Sequence, residues 1–130
     1  MSFSGDMRRF VAKTASAHNT ITRVATLELF SGIVKGNPVD TGRSRGAWTT
    51  SVGVPGDSPE RLDKTGAQAI AEIGENTPAG AGQVTLLSNS LPYIFELEEG
   101  SSKQAPEGFV RKNMDRVERM VDAAIRKHRV

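Results

Sequence analysis

Residues 88–110 read SNSLPYIFELEEGSSKQAPEGFV: a strand end, a short helix, a glycine stop, a polar loop and the start of a second helix. Asn89 or Ser90 is placed to cap the backbone N–H groups from Tyr93 onward. Pro92 suits the first helical turn, where a missing N–H costs nothing. Gly100 is expected to end that turn in the left-handed conformation, and Pro106 to open the next helix as Pro92 opens the first. Leu91, Tyr93, Ile94, Phe95 and Leu97 supply apolar surface beside three acids, Glu96, Glu98 and Glu99. Acids in the last turn of a short helix oppose its dipole by a few tenths to about 1 kcal/mol each. They call for a cation nearby, in the same chain or on a partner.

Downstream of this stretch, Val110, Met114, Val117, Val121, Ala124 and Ile125 recur at helical spacing, with Arg and Lys on the other faces. Lys127 and Arg129 suit the C-terminal end of that helix's dipole. Upstream, VTLLSNS at 84–90 reads as a strand. Its expected partner begins at Trp48, with Trp48, Thr50, Val52 and Val54 on the buried side and Thr49 and Ser51 on the other. Before it, a helix capped by Ser4 or Asp6 is expected to run to about Lys35, where Gly36, Asn37 and Pro38 stop it. Phe10, Thr14, Ala17, Ile21, Val24, Ala25 and Leu29 mark one face. Leu27, Phe30 and Val34 widen the apolar arc, so the second half should be the more deeply buried. At roughly 1.5 Å per residue this helix spans about 45 Å, and its first two turns are expected to project from the body.

The connection from Pro55 to Gly82 holds Pro55, Pro59, Pro78, Gly56, Gly66, Gly74, Gly80 and Gly82. One short apolar run, AQAIAEI at 67–73, reads as a helix of about two turns between Gly66 and Gly74. That much apolar surface, at roughly 25 cal/mol per Å², does not offset the ordering of the whole segment, so the connection is expected to be mobile in the free subunit and to order on assembly, its helical part docking on the body while its flanks move. The pattern specifies one α+β domain over 1–130. A small antiparallel sheet packs against long N-terminal and C-terminal helices, with one or two short helices between.

The 130 residues suffice for one domain with a modest core. No cysteine is present, which excludes disulfides and thiolate metal sites. The first residues, MSFSGDMRRF, lack a signal-peptide run and no stretch approaches a membrane span, so a chain made in the cytoplasm without membrane contact is expected. Net charge is +4 over residues 1–50, −6 over 51–100 and +4 over 101–130. Basic ends around an acidic middle fit pairing within a chain, or between copies of it, better than nucleic acid.

Asp40-Thr41-Gly42 copies the triplet of aspartic proteases, whose dyad needs two carboxylates sharing one proton. Here Arg43 and Arg45 stand beside it and would hold the carboxylate ionised. Asp40 is expected instead to turn onto the N–H groups of Gly42 and Arg43 in an Asx-type turn. His18 and His128 have no neighbours at triad or metal spacing. The glycines of GENTPAGAG lack the helix and lysine of a phosphate loop. No catalytic, cofactor-binding or metal-binding residue is therefore expected. Arg43 and Arg45 are expected to meet Glu96, Glu98 and Glu99 in preference to phosphate, and the single tryptophan, Trp48, to be core.

PVDTGRSRGAW, carrying Pro38, Asp40, Thr41, Gly42, Arg43 and Trp48, is followed about forty residues later by NSLPYIFELEEGSSKQAPEGFVR. The second motif carries Asn89, Leu91, Pro92, Tyr93, Leu97, Glu98, Gly100, Ser102, Lys103, Gln104, Ala105, Pro106 and Gly108. In order and spacing the pair resembles the tail-completion or neck proteins of long-tailed bacteriophages, relatives of minor tail protein Z of lambda-like phages. Members often carry an aromatic residue after the glycine, where this chain has Ser101. The resemblance implies a non-enzymatic virion protein that forms a homo-oligomeric ring, a hexamer, at the neck or top of the tail. It implies contacts with tail-tube or terminator proteins and with head-completion or adaptor proteins. DNA would pass through such a ring without sequence-specific binding. The structural and interface motif would comprise Asp40, Thr41, Gly42, Arg43, Arg45, Trp48, Pro92, Tyr93, Glu96, Glu98, Gly100, Lys103 and Pro106. The alternative is a small nucleic-acid-binding module that uses the basic C-terminal helix with Arg43 and Arg45. A hydrolase built on Asp40 is more distant.

Overall fold

A computed structural model describes residues 3–79, 83–100 and 102–127, with residues 3–18 as backbone alone. The side chains of Ser4, Asp6, Phe10, Thr14, Ala17 and His18, and the residues Gly80, Gly82, Ser101, His128 and Arg129, lie outside what is described; the helix expected to be capped by Ser4 or Asp6 already includes both positions in its backbone.

The first helix, α1, spans Phe3–Gly36, and its buried face gathers in the second half as expected: Phe30, Ile33 and Val34 are buried there. The chain then makes one short helical turn that the sequence did not announce, α2 at Arg43–Gly46. Strand β1 follows at Thr49–Val52 and pairs antiparallel with β2 at Thr85–Ser88, Thr50 opposite Leu87. Between them α3 occupies Ala67–Asn76. A five-residue helix, α4 at Ile94–Glu98, and the long α5 at Val110–Lys127 complete the chain. The α+β architecture is the expected one, a two-stranded antiparallel sheet with long helices at both ends. Three short helices stand between them among the described residues.

Both α3 and α5 pack on α1, and α3 also packs on β1. The core forms where they meet, from Phe30, Ile33, Val34, Trp48, Ala69, Ile73, Ala105 and Phe109. Trp48 and Phe109 meet edge to face, ring centroids 6.4 Å apart at 85°. That geometry sets the positive edge of one ring against the negative face of the other. Gly36 lies against Phe109 and Gly32 against Asn113 and Arg116, so the absence of side chains at these two turns lets α5 approach α1 closely.

Several boundaries differ from expectation, each for a local reason. The buried face of β1 ends at Thr50: Val52 is 39% and Val54 70% exposed, on either side of Gly53 at φ +85°, where the strand ends. Helix α3 runs through Gly74 to Asn76, and Asn76 uses its amide to donate to Thr50 O across to β1 at 3.0 Å. Helix α5 begins at Val110, not near Pro106; residues 102–107 make two turns closed by Ala105 N–H to Ser102 O and Gly108 N–H to Ala105 O. Asn89 does not cap α4. Its Oδ1 accepts from Leu91 N–H at 3.1 Å, its Nδ2 donates to Ser44 O at 2.9 Å, and α4 has no side-chain cap.

Within the 55–82 connection, α3 docks on the body as expected, and the stretch before it is tied down by side chains. Arg61 donates to Gly46 O and Trp48 O and pairs with Glu72 at 3.1 Å, while buried Asp63 accepts from Ala69 N–H at 3.0 Å.

Candidate functional site

The two sequence motifs fold against each other around a cleft of about 210 Å³, whose lining includes Asp40, Thr41, Arg43, Tyr93, Leu97 and Gln104. One wall is the turn from Asn37 to Trp48, and Asn37 organises it. Its side chain is 0% exposed and uses its whole amide. Nδ2 donates to Pro38 O and to Ser44 Oγ, both at 2.8 Å, and Oδ1 accepts from Trp48 Nε1 at 2.8 Å. Indole N–H is a donor only, which fixes which end of the amide faces Trp48. A buried polar group left unpaired is costly, so this closed set holds the turn in one shape.

Arg45 closes the end of α1. Its guanidinium donates to Lys35 O at 2.9 Å, to Asn37 O at 2.7 Å and to Lys64 O. These include carbonyls of the kind a helix C-terminus leaves unpaired, at the negative end of the dipole. Burial pushes the Arg45 pKa down, opposed by the nearby Asp63 carboxylate. Gly42, at φ +90°, is where the turn touches the 63–64 stretch: an added Cβ would lie 2.7 Å from Lys64 N, and Gly42 O accepts from Asp63 N–H at 3.1 Å.

The other wall is the stretch around α4. Glu98 is the cap of α5, delivered from another helix. Oε1 accepts from Phe109 N–H at 2.7 Å and Val110 N–H at 2.8 Å, and Oε2 from Arg111 N–H at 3.0 Å and Arg111 Nε at 3.1 Å. A carboxylate on the first N–H groups of a helix satisfies orphan donors and favours the dipole. Burial raises the Glu98 pKa, but the three backbone donors and Arg111 outweigh it and hold the carboxyl below its ordinary range. Gly108, at φ +88°, makes room for this: a Cβ there would lie 2.8 Å from Glu98 Oε1. Gly100, at φ +98°, lies so close to Pro106 O that no Cβ fits between them. Gln104 then joins the walls, its side-chain amide pairing with the backbone of Val39.

The expected site residues thus fall into distinct places. Asp40, Thr41, Gly42, Arg43 and Tyr93 come together on the cleft. Trp48 is core, as expected, and Arg45 is spent on carbonyls. Pro92, Glu96, Lys103 and Pro106 are exposed, with Pro106 in a turn. Two expectations are corrected. The acceptor that meets Arg43 N–H is the Thr41 hydroxyl, at 3.3 Å, and not the Asp40 carboxylate, which is exposed on the rim. The cation that answers Glu98 and Glu99 within the chain is Arg111, not Arg43 or Arg45, since Glu98 turns toward α5 and away from the cleft. Asn37, Ser44 and Arg111 were missed. The available signal was the buried tryptophan, whose N–H demands an acceptor.

Asp40 is the one carboxylate among the described residues lining the cleft, and Arg43 the one guanidinium. Hydroxyls, a tyrosine and a leucine complete a surface of the mixed kind that protein contacts use. Among the described residues no group of three His, Cys, Asp or Glu side chains gathers to hold a metal ion, and no helix is long and apolar enough to cross a membrane. Comparison with protein-family models, curated proteins and solved structures found no match.

Proposed function

We propose that the chain is a non-enzymatic structural subunit of a tailed bacteriophage, building a homo-oligomeric ring at the neck or top of the tail. The observation that carries the reading is the union of the two motifs. Residues 38–48 and 89–108, which hold the resemblance to tail-completion proteins, meet through Gln104 and Val39 and through Asn89 and Ser44. Their residues serve packing, capping and backbone pairing, as the joints of a rigid building block should. The exposed Tyr93 and Arg43 leave one face of the joint open to a partner.

The nucleic-acid reading loses ground on particular side chains. Arg45 is engaged with backbone, and on α5 Arg111, Lys112 and Arg116 pair with Glu98, Glu107 and Glu28. Images of the purified protein, and of virions labelled with antibody against it, test the proposal. Rings, and label at the head–tail junction, are expected. Label elsewhere on the particle, or retention on DNA that falls steeply with salt, would overturn it.

A further inference from the structure

The charges that the two motifs expose do not find each other within the chain. Glu98 is committed to α5, and Glu99 reaches Arg111 only at 3.8 Å. Glu96 and Arg43 are both exposed and enter no ion pair among the described residues. Each stands beside a large apolar side chain held in water. Phe95 is 77% exposed next to Glu96, and Leu62 is 67% exposed on the groove that Arg43 also lines. That groove, about 310 Å³, is formed by Arg43, Glu60, Arg61 and Leu62. The Arg61 guanidinium is already engaged with Gly46, Trp48 and Glu72, so Arg43 carries the groove's uncommitted positive charge, with exposed Lys64 close by in the chain.

The knob is turned away from the cleft, whereas Arg43 borders both the cleft and the groove. Tyr93 and Leu97 look into the cleft that Arg43 borders. At 3.6 residues per turn, Phe95 stands roughly 200° round from Tyr93, directed away from it. A single exposed apolar residue needs no explanation. Here an acid-flanked aromatic and a base-flanked apolar groove occur on one chain, each with its charge unanswered. We infer that Phe95 of one copy seats in the Arg43–Leu62 groove of a second copy, with Glu96 and Glu99 set against Arg43 and Lys64. The Arg43 guanidinium can lie over the Phe95 ring, a favourable cation–π arrangement. Glu60 in the groove wall opposes the approaching acids, so a neutral side chain in its place tightens the contact. With the knob turned away from the cleft side that carries Arg43, one copy does not offer both surfaces to the same neighbour, so the inferred contact is head-to-tail and closes into a ring when its rotation divides a full turn. The inference rests on the self-association in the reading above and names the surfaces that carry it.

A chain without cysteine allows a direct test. Glu60→Cys and Glu99→Cys place single thiols at the groove and beside the knob while keeping Phe95, Glu96, Arg43 and Leu62. Mixed under mild oxidation, the two variants are expected to give the hetero-disulfide well in excess of either homodimer. Adding Arg43→Glu to the groove variant should lower that yield about fivefold, and adding Glu96→Arg to the knob variant should restore it. Wild type that self-associates while the mixed pair cross-links no better than either variant alone refutes this contact and leaves the ring reading standing. Efficient cross-linking of Glu99→Cys with itself means a two-fold contact and also refutes it. A protein that neither associates at any concentration nor cross-links overturns both.

Discussion

Gln104 forms a two-point bridge to Val39, sixty-five residues earlier: its Oε1 accepts from Val39 N–H at 2.9 Å and its Nε2 donates to Val39 O at 2.8 Å. A side-chain amide here imitates one rung of a β-ladder and joins the loop after α4 to the turn after α1. Gln104→Ala should cost about 1–2 kcal/mol, two partly solvated hydrogen bonds. Gln104→Glu should cost at least as much, since a carboxylate then faces the Val39 carbonyl. Urea midpoints at constant m-value check both.

Asn37, not Asp40, holds the turn. Asn37→Ala leaves the Trp48 N–H without its acceptor in a buried site and takes from the Ser44 hydroxyl the donor it accepts from, and about 2–4 kcal/mol of stability is expected to go. Asp40→Ala removes an exposed group and should stay within about 0.5 kcal/mol of wild type. Trp48 is the single tryptophan, so its fluorescence reports each unfolding curve directly.

Two glycines should respond with opposite sign. At Gly100 a Cβ would run into Pro106 O at φ +98°, so Gly100→Ala should cost at least about 1–3 kcal/mol. Gly74 lies inside α3 with open space where a Cβ would stand, and Gly74→Ala should stabilise by about 0.4–1 kcal/mol. Thermal melts of the pair suffice.

Acid should loosen the fold through two carboxylates. Burial raises the pKa of Glu72 as it does that of Glu98, but for Glu72 the Thr49 hydroxyl, Thr50 N–H and Arg61 more than reverse it, and both groups end below their ordinary value. A folded-state pKa below the unfolded one contributes stability above the unfolded value, roughly pH 4.3. That stability is lost as pH falls through the folded-state values. Stability measured from pH 7 down to 2 should drop below about pH 4.3. Glu98→Gln, with one fewer titrating cap, should be less stable at pH 7 and show a shallower acid limb.

Amide exchange should divide the connection between the strands. Ala69 and Ile73, buried on α3, should be among the protected amides of the segment, and Asp63, whose N–H is held by Gly42 O, should exchange slowly too. Residues 56–60, which precede the Arg61 anchor, should exchange freely. Protection there equal to that of α5 would contradict the expected mobility.

The long helices and the strand pair were legible because their signals are periodic and local. Val110, Val117 and Val121 repeat at helical spacing whatever surrounds them. The joints were not legible, because each depends on a partner far along the chain. Asn37 after a helix reads as a stop, and only the folded turn brings Trp48 and Ser44 to its amide. Glu98 at the end of a helix reads as a charge in the wrong place, until α5 presents its N-terminus eleven residues on. Arg111 similarly competes with Arg43 and Arg45 for the same acids, and the winner is set by the direction in which Glu98 points. Gly108 was the overlooked clue: a glycine after Pro106 and Glu107 places the helix start beyond it.

Delivering the α5 cap from α4 also bears on the order of events as the chain folds. A five-residue helix does not persist alone, because nucleation outweighs so few hydrogen bonds. The start of α5 gains its anion only when α4 is wound. Closing the short loop between them costs little chain entropy, so the two ends form together or not at all. If this joint forms in the rate-limiting step, removing the Glu98 carboxylate is expected to slow refolding about as much as it lowers stability and to leave the unfolding rate nearly unchanged; refolding and unfolding rates of Glu98→Gln check it.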